Sequence, residues 1–244
     1  MSVVRRRKDR GLDGIGPYHR RMSPVPRRRT RTPIRPAQRG DRRAAWAVAL
    51  LALLAAVIAA ACSGPPFDPS GPCTTDGKIP GAYPDLEALV PASYQGNRPQ
   101  LLDSGRTCTS QSLGTLATHG VKELRFAGGT WPTGTQSGLT LATFGSVDGP
   151  LLDPAWLAEF YETTARTGKN IQSVDSTEVP IVGSITGRRL DVLNNESFQT
   201  VVVWRRQDRV AAVLVANFIR EIPSKEAHDK IVATAIDAWN ASGG

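Results

Sequence analysis

Three cysteines carry the most definite chemistry in this 244-residue chain: Cys62, Cys73 and Cys108. The histidines His19, His119 and His228 are scattered, and neither they nor the cysteines show metal-ligand spacing, so no metal centre is expected. The chain has no Gly-Xaa-Ser-Xaa-Gly elbow, phosphate loop, His-Glu-Xaa-Xaa-His or dinucleotide fingerprint. No catalytic residue and no cofactor are therefore expected. His119 precedes Gly120 at a predicted helix end, where the dipole favours a cation. His228 falls in the first turn of the last predicted helix and reads as a rim residue. Phe126-Ala127-Gly128-Gly129-Thr130 is glycine-rich but lacks the lysine of a phosphate loop, and reads as a turn. Glu159 and Glu162 read as a solvated helix face, while Trp131 and Trp156 line either a core or a pocket. Arg205, Arg206 and Arg209 surround one predicted turn beside Trp204. They form either a solvated charged turn or a small tip that binds an anion or a partner, with Arg188-Arg189 near it.

The charge is unevenly distributed. Residues 1–43 hold fifteen Lys/Arg and three Asp, a net +12 against +8 for the whole chain, which leaves −4 for the rest. The basic character belongs to the tail, so the folded part is not expected to bind nucleic acid. The tail itself is arginine-rich, punctuated by Pro24, Pro26, Pro33 and Pro36, and almost without apolar residues; it reads as disordered and cytoplasmic. A second reading has it bind anionic lipid or nucleic acid. Translation from Met22 instead of Met1 would leave a shorter basic region.

Residues 44–61 are uncharged for eighteen positions, AAWAVALLALLAAVIAAA, nearly enough helix to span a bilayer. Arg42-Arg43 precede them, which puts the N-terminus inside the cytoplasm and the downstream chain outside it. The run ends Ala59-Ala60-Ala61-Cys62, small residues of the kind signal peptidases accept. This stretch resembles the lipobox of bacterial lipoproteins, with Ala59 where such motifs carry Leu or Val. The resemblance implies cleavage and lipid attachment at Cys62. The other reading is an uncleaved single-pass helix. Both attach the chain to the cell membrane with its folded part on the extracytoplasmic side.

A lipidated Cys62 leaves an even pair in a compartment where disulfides persist, so a Cys73–Cys108 bridge is expected, with two free thiols as the alternative. Residues 62–82 are Ser/Gly/Pro-rich and read as a linker lifting a domain at 83–241 from the membrane. In that domain, Asp85 starts a short helix ended by Pro91, and Gln100-Leu101-Leu102 is a short strand. Ser110 caps a helix through Leu113, Leu116 and Ala117 that Gly120 stops. Strands come next at 121–126 and 139–144, with a turn at Gly128-Gly129 and Pro132 between them. Asp153 caps a helix at 153–167 with Pro154 in its first turn and Trp156, Leu157, Phe160 and Tyr161 in one stripe. Strands are then expected at 171–174, at 179–185 leading into 190–192, at 198–204 and at 210–218. Asn194-Asn195 and Gln207-Asp208 supply the last turns, and Ser224 caps a helix bearing Ile231, Val232, Ala235, Ile236 and Trp239.

The last two strands are apolar on both faces, which requires cover on both. The order predicts an α+β fold: an antiparallel sheet with helices packed on it, closed by a β-meander plus helix. That closing unit is similar to the PsbP-like sandwich found in some bacterial lipoproteins. The expectation is an envelope lipoprotein whose domain binds an unidentified protein or a small apolar ligand without catalysing a reaction. The alternative is a single-pass protein acting in signalling or envelope assembly.

Overall fold

The computed structural model describes residues 67–242. The basic tail, the hydrophobic segment 44–61 and Cys62 lie outside the described residues. No helix among the described residues is long and apolar enough to cross a membrane.

The described chain forms one eight-stranded, wholly antiparallel sheet in the order β1-β2-β3-β4-β8-β7-β6-β5. In chain order the strands are β1 (Gly77–Ile79), β2 (Leu101–Thr107), β3 (Glu123–Pro132), β4 (Gly138–Val147), β5 (Ile171–Val182), β6 (Ile185–Asn194), β7 (Ser197–Arg206) and β8 (Arg209–Phe218). Five helices accompany them: α1 (Pro84–Glu87), α2 (Ser110–Leu113), α3 (Thr115–Thr118), α4 (Pro154–Arg166) and α5 (Lys225–Ala241). The fold is α+β as expected. Two four-stranded meanders meet where β4 pairs with β8, Leu141 opposite Val213.

Alternation along the strands builds two cores. On one face Phe126, Ala142, Phe144, Val201, Val203, Val210 and Ala212 pack with Leu157, Tyr161 and Ala165 of α4. On the other, Leu139, Leu141, Val202, Trp204, Val213 and Val215 pack with Val232, Ala235 and Trp239 of α5, and with Leu86 beyond them. Helices on both faces give β7 and β8 the double cover that their sequences demand. The Asp153 carboxylate accepts the Ala155 N–H at 2.7 Å and starts α4; Ser224 does the same for α5 through the Ala227 N–H.

Four local expectations change. Gly128-Gly129 is not a turn: β3 runs straight through it, and the turn falls at 133–137. A side chain at Gly129 would collide with the Trp131 ring at 2.8–3.0 Å, so glycine makes room for the indole to lie back over the strand. The helix after β2 starts one residue earlier than expected, with Thr109 as its cap, and breaks into α2 and α3 at Gly114, where φ is +53°. β5 extends to Val182, and the hairpin turns at Gly183-Ser184, with φ of +57° at the glycine. Asn194 serves its turn through its side chain, which accepts the Glu196 and Ser197 N–H groups.

Candidate functional site

The densest polar convergence among the described residues lies beneath α5. His228 occupies the first turn of α5 and is 1% exposed, not at the rim. Its stripe, His228-Val232-Ala235-Trp239, is the buried face of the helix. Nε2 lies 2.8 Å from Thr200 Oγ1 on β7, and Nδ1 lies 2.9 Å from Asn217 Nδ2 on β8. Thr200 Oγ1 in turn bonds Asp191 Oδ1 on β6 at 2.5 Å, and Thr133 Oγ1 bonds Asn217 Oδ1 at 2.8 Å. Arg189 donates through Nε and Nη2 to Asp191 and through Nη2 to Asp229, and Lys225 donates to both oxygens of Asp229.

One charge orients every proton in this chain of bonds. Burial works against the Asp191 carboxylate, but hydrogen bonds from Arg189 and Thr200 outweigh it and hold the group ionised, below the usual carboxylate range. An ionised carboxylate only accepts, so the Thr200 hydroxyl donates to it. Thr200 must then accept from His228 Nε2–H. The bare Nδ1 accepts from the Asn217 amide, whose oxygen accepts from Thr133. Burial pushes His228 down to about 4, against the pull of Asp229 and Asp191, so the ring is neutral at pH 7, as this tautomer requires. Arg189 is held above its ordinary value, chiefly by its bonds to Asp191.

Asp191, His228 and Asp229 bring one ligand atom each within 4.8 Å of one another. The donor set does not fit a metal. Both imidazole nitrogens are engaged, and both carboxylates are already neutralised by Arg189 and Lys225. A base needs a free lone pair within reach of substrate, and His228 has none. The arrangement instead ties α5 to β6, β7 and β8 by directed bonds.

No protein-family model and no curated protein matches this chain.

The structure separates the three turn arginines. Arg206 lies over the Trp239 ring at 4.9 Å and bonds the Trp239 carbonyl and Ser242. Arg209, paired opposite Arg206, runs alongside Gly145 and pairs with Asp208 at 3.5 Å. Arg205 belongs to the opposite face, and its Nη1 is buried without a hydrogen-bond partner among the described residues. Of the neighbouring pair, Arg188 meets Glu178 at 3.4 Å, while Arg189 belongs to the His228 network. His119 closes α3, bonds Glu159 at 2.8 Å and stacks on Trp156 at 4.7 Å, so Glu159 joins two helices as well as facing solvent. Trp131 is core, its indole N–H donating to the Asn97 carbonyl at 2.8 Å.

Another convergence involves the cysteines. Cys73 and Cys108 are disulfide-bonded, their Cα atoms 5.5 Å apart. Beside them Arg106, 2% exposed, donates to the carbonyls of Gly71 at 2.7 Å, Pro72 at 2.8 Å and Asp68 at 3.1 Å. Asp76 accepts the N–H groups of Cys108 and Thr109 and the hydroxyls of Thr109 and Ser112. Residues 67–82, from the stretch read as linker, therefore run docked along the sheet, with β1 as its edge strand. The signal in the sequence is the Cys73-to-Asp76 spacing, together with an arginine two residues before Cys108, which alternation does not register.

Proposed function

We propose that this protein is a membrane-anchored, extracytoplasmic envelope lipoprotein, attached through Cys62, whose domain works by binding and not by catalysis. The observation that carries the reading is the Cys73–Cys108 disulfide, eleven residues beyond the lipobox-like Ala59-Ala60-Ala61-Cys62. It consumes the remaining cysteines in a bond that lasts in oxidising compartments, and leaves Cys62 alone at the end of the hydrophobic run. The polar cluster under α5 supports a non-catalytic role, because its donors and acceptors are spent on one another. The partner is an unidentified protein or a small apolar ligand. No nucleic acid is assigned to the domain, because its share of the charge is negative.

Intact mass of the membrane-extracted protein tests the reading. A chain that begins at Cys62 with an acyl modification and no free thiol is the expected result. A mass retaining residues 44–61 replaces it with the single-pass anchor. A turnover by the purified protein that one point variant abolishes would overturn the non-catalytic part.

A further inference from the structure

We infer that the corner of the domain made by β1, α1 and the start of β2 lies on the bilayer, with the β5–β6 hairpin held away from it. This rests on the membrane attachment proposed above.

The leash between anchor and domain is short. The disulfide, the Arg106 clamp and Asp76 fix the chain to the domain from its first described residues, and the Phe67 ring packs over Gly77 of β1 and under Arg106. From Cys62 to Phe67 there are five residue steps, which span at most about 18 Å however the chain runs. A free linker of the length read from the sequence would reach several times further. A domain on so short a leash keeps the neighbourhood of Phe67 against the membrane. The geometry is the same if residues 44–61 are retained as the anchor, since that segment ends at Ala61.

Three aliphatic side chains stand half exposed in that corner, among exposed polar residues such as Asp68, Ser70 and Gln100. Ile79 is 45% exposed, Leu89 46% and Leu101 45%. Ile79 is two residues along β1 from Gly77. Leu101 stands three residues before Ser104, the partner of Ile79, about 10 Å along the strand and on the opposite face, so that the two flank the sheet edge. Leu89 lies just past α1, which Glu87 holds to β2 by accepting from Ser104 Oγ at 2.8 Å and from Gly81 N–H. The corner carries no basic excess that would hold an anionic headgroup: residues 67–107 contain three Lys/Arg against five Asp/Glu. Lys78 pairs with Asp103 at 2.9 Å, and the exposed Arg98 and Asp85 have opposite signs. The contact is therefore with the uncharged interfacial layer of the bilayer, and salt leaves it intact. Three half-exposed aliphatic side chains are too few to bind a membrane from solution. On a tether that holds them at an effective concentration of about millimolar or more, they need only choose an orientation.

The sheet order then sets what faces outward. β5 is the other edge, seven interstrand spacings or about 33 Å away, and its hairpin carries exposed Val182 and Ile185.

The test uses the full chain as extracted from membranes and reconstituted into vesicles of zwitterionic phosphatidylcholine with acyl chains brominated near the headgroup. Leu101→Trp and Val182→Trp report the two edges; Ile79→Trp is a second reporter for the inner one. All three sites are exposed, so the substitutions leave both cores alone. Relative to unbrominated vesicles, the fluorescence added by Leu101→Trp and Ile79→Trp is expected to fall at least two-fold, and that of Val182→Trp to stay unchanged, in low and high salt alike. Equal quenching at both edges, or none at either, overturns the orientation. Intact mass of the same sample reads the anchor: an unmodified Cys62 with residues 44–61 retained removes lipidation and leaves this inference standing. A chain that does not fractionate with the vesicles defeats both.

Discussion

Arg106 and His228 are both buried and solve the same problem in opposite ways. Arg106 spends its donors on three carbonyls, whereas His228 gives its charge up. The second choice makes stability depend on pH. In the unfolded chain His228 takes its proton near its ordinary value of 6.5; in the fold it does so only near 4. Between those values the unfolded state binds the extra proton, so its stabilising contribution is full above pH 6.5 and is lost as pH falls toward 4. The loss amounts to about 3 kcal/mol. The Asp191 and Asp229 carboxylates, held below their ordinary range, lose their own contributions only at still lower pH. Urea unfolding of the wild type at pH 7, 6 and 5 is expected to show the decline. His228→Gln is expected to be about 2 kcal/mol less stable at pH 7 and nearly flat across the same window. A variant with the wild-type slope would remove His228 as the cause. Arg106→Met strips the donors from three carbonyls and is expected to destabilise by about 3 kcal/mol. Faster amide exchange confined to residues 68–79 would be the local sign, and exchange spread evenly over the sheet would contradict the clamp.

At the level of elements, the disulfide and the clamp act on the same short edge. β1 has only three residues and one neighbour, too little to hold a strand by itself. The Cys73–Cys108 bond closes a separation of 35 residues, which the loop-entropy model values at about 3–4 kcal/mol. Paired Cys73→Ser and Cys108→Ser substitutions are expected to lower unfolding stability by that amount and to release β1 in amide exchange, while β3, β4 and β8 keep their protection. Loss of protection in those central strands would mean that the bond holds up the whole sheet. The same edge shows why sequence patterns reach some elements and miss others. β7 and β8 are readable as continuous apolar runs because both of their faces are buried, and α4 is readable because burial imposes a period of 3.6 on its residues. β5 is readable only in part: Asp175, Ser176, Thr177 and Glu178 are not buried on either face, so the middle of the strand shows no alternation. β1 hides in a Pro/Gly/Ser-rich run because its partner, not its propensity, makes it a strand. The glycine pair in β3 looks like a turn because nothing local reveals the Trp131 ring lying over it. The burial of His228 is legible in principle, since it stands four residues before Val232 on the apolar stripe of α5, but histidine in a first helical turn ordinarily faces solvent. Thr200 and Asn217 cannot be paired with it until strand register is known.

For the whole molecule, the charge partition makes the proposed cleavage at Cys62 testable without any structure. Residues 1–43 hold +12, the hydrophobic run holds none, and the chain from Cys62 onward holds −4. Cleavage at Cys62 therefore reverses the sign of the protein, from +8 to −4, whereas retention of the whole N-terminus leaves it strongly basic. The described domain gives no reason for that sign to be masked, because its ion pairs, such as Arg189–Asp191 and Lys225–Asp229, cancel internally. Acylation adds no charge at Cys62 and, when the new amino terminus is also acylated, none there either. Isoelectric focusing of the detergent-extracted protein from its native membrane is expected to place it below pH 7. Translation from Met22 does not blur the result: residues 22–43 still carry eight Arg and one Asp, so an uncleaved short form holds +7 ahead of the −4 and remains basic. An acidic band that incorporates labelled fatty acid, and loses it in Cys62→Ser, is the outcome the lipoprotein reading requires. A single basic band, with or without label, would show that the arginine-rich tail stays on the mature protein. The tail would then be part of the working protein and not a discarded leader.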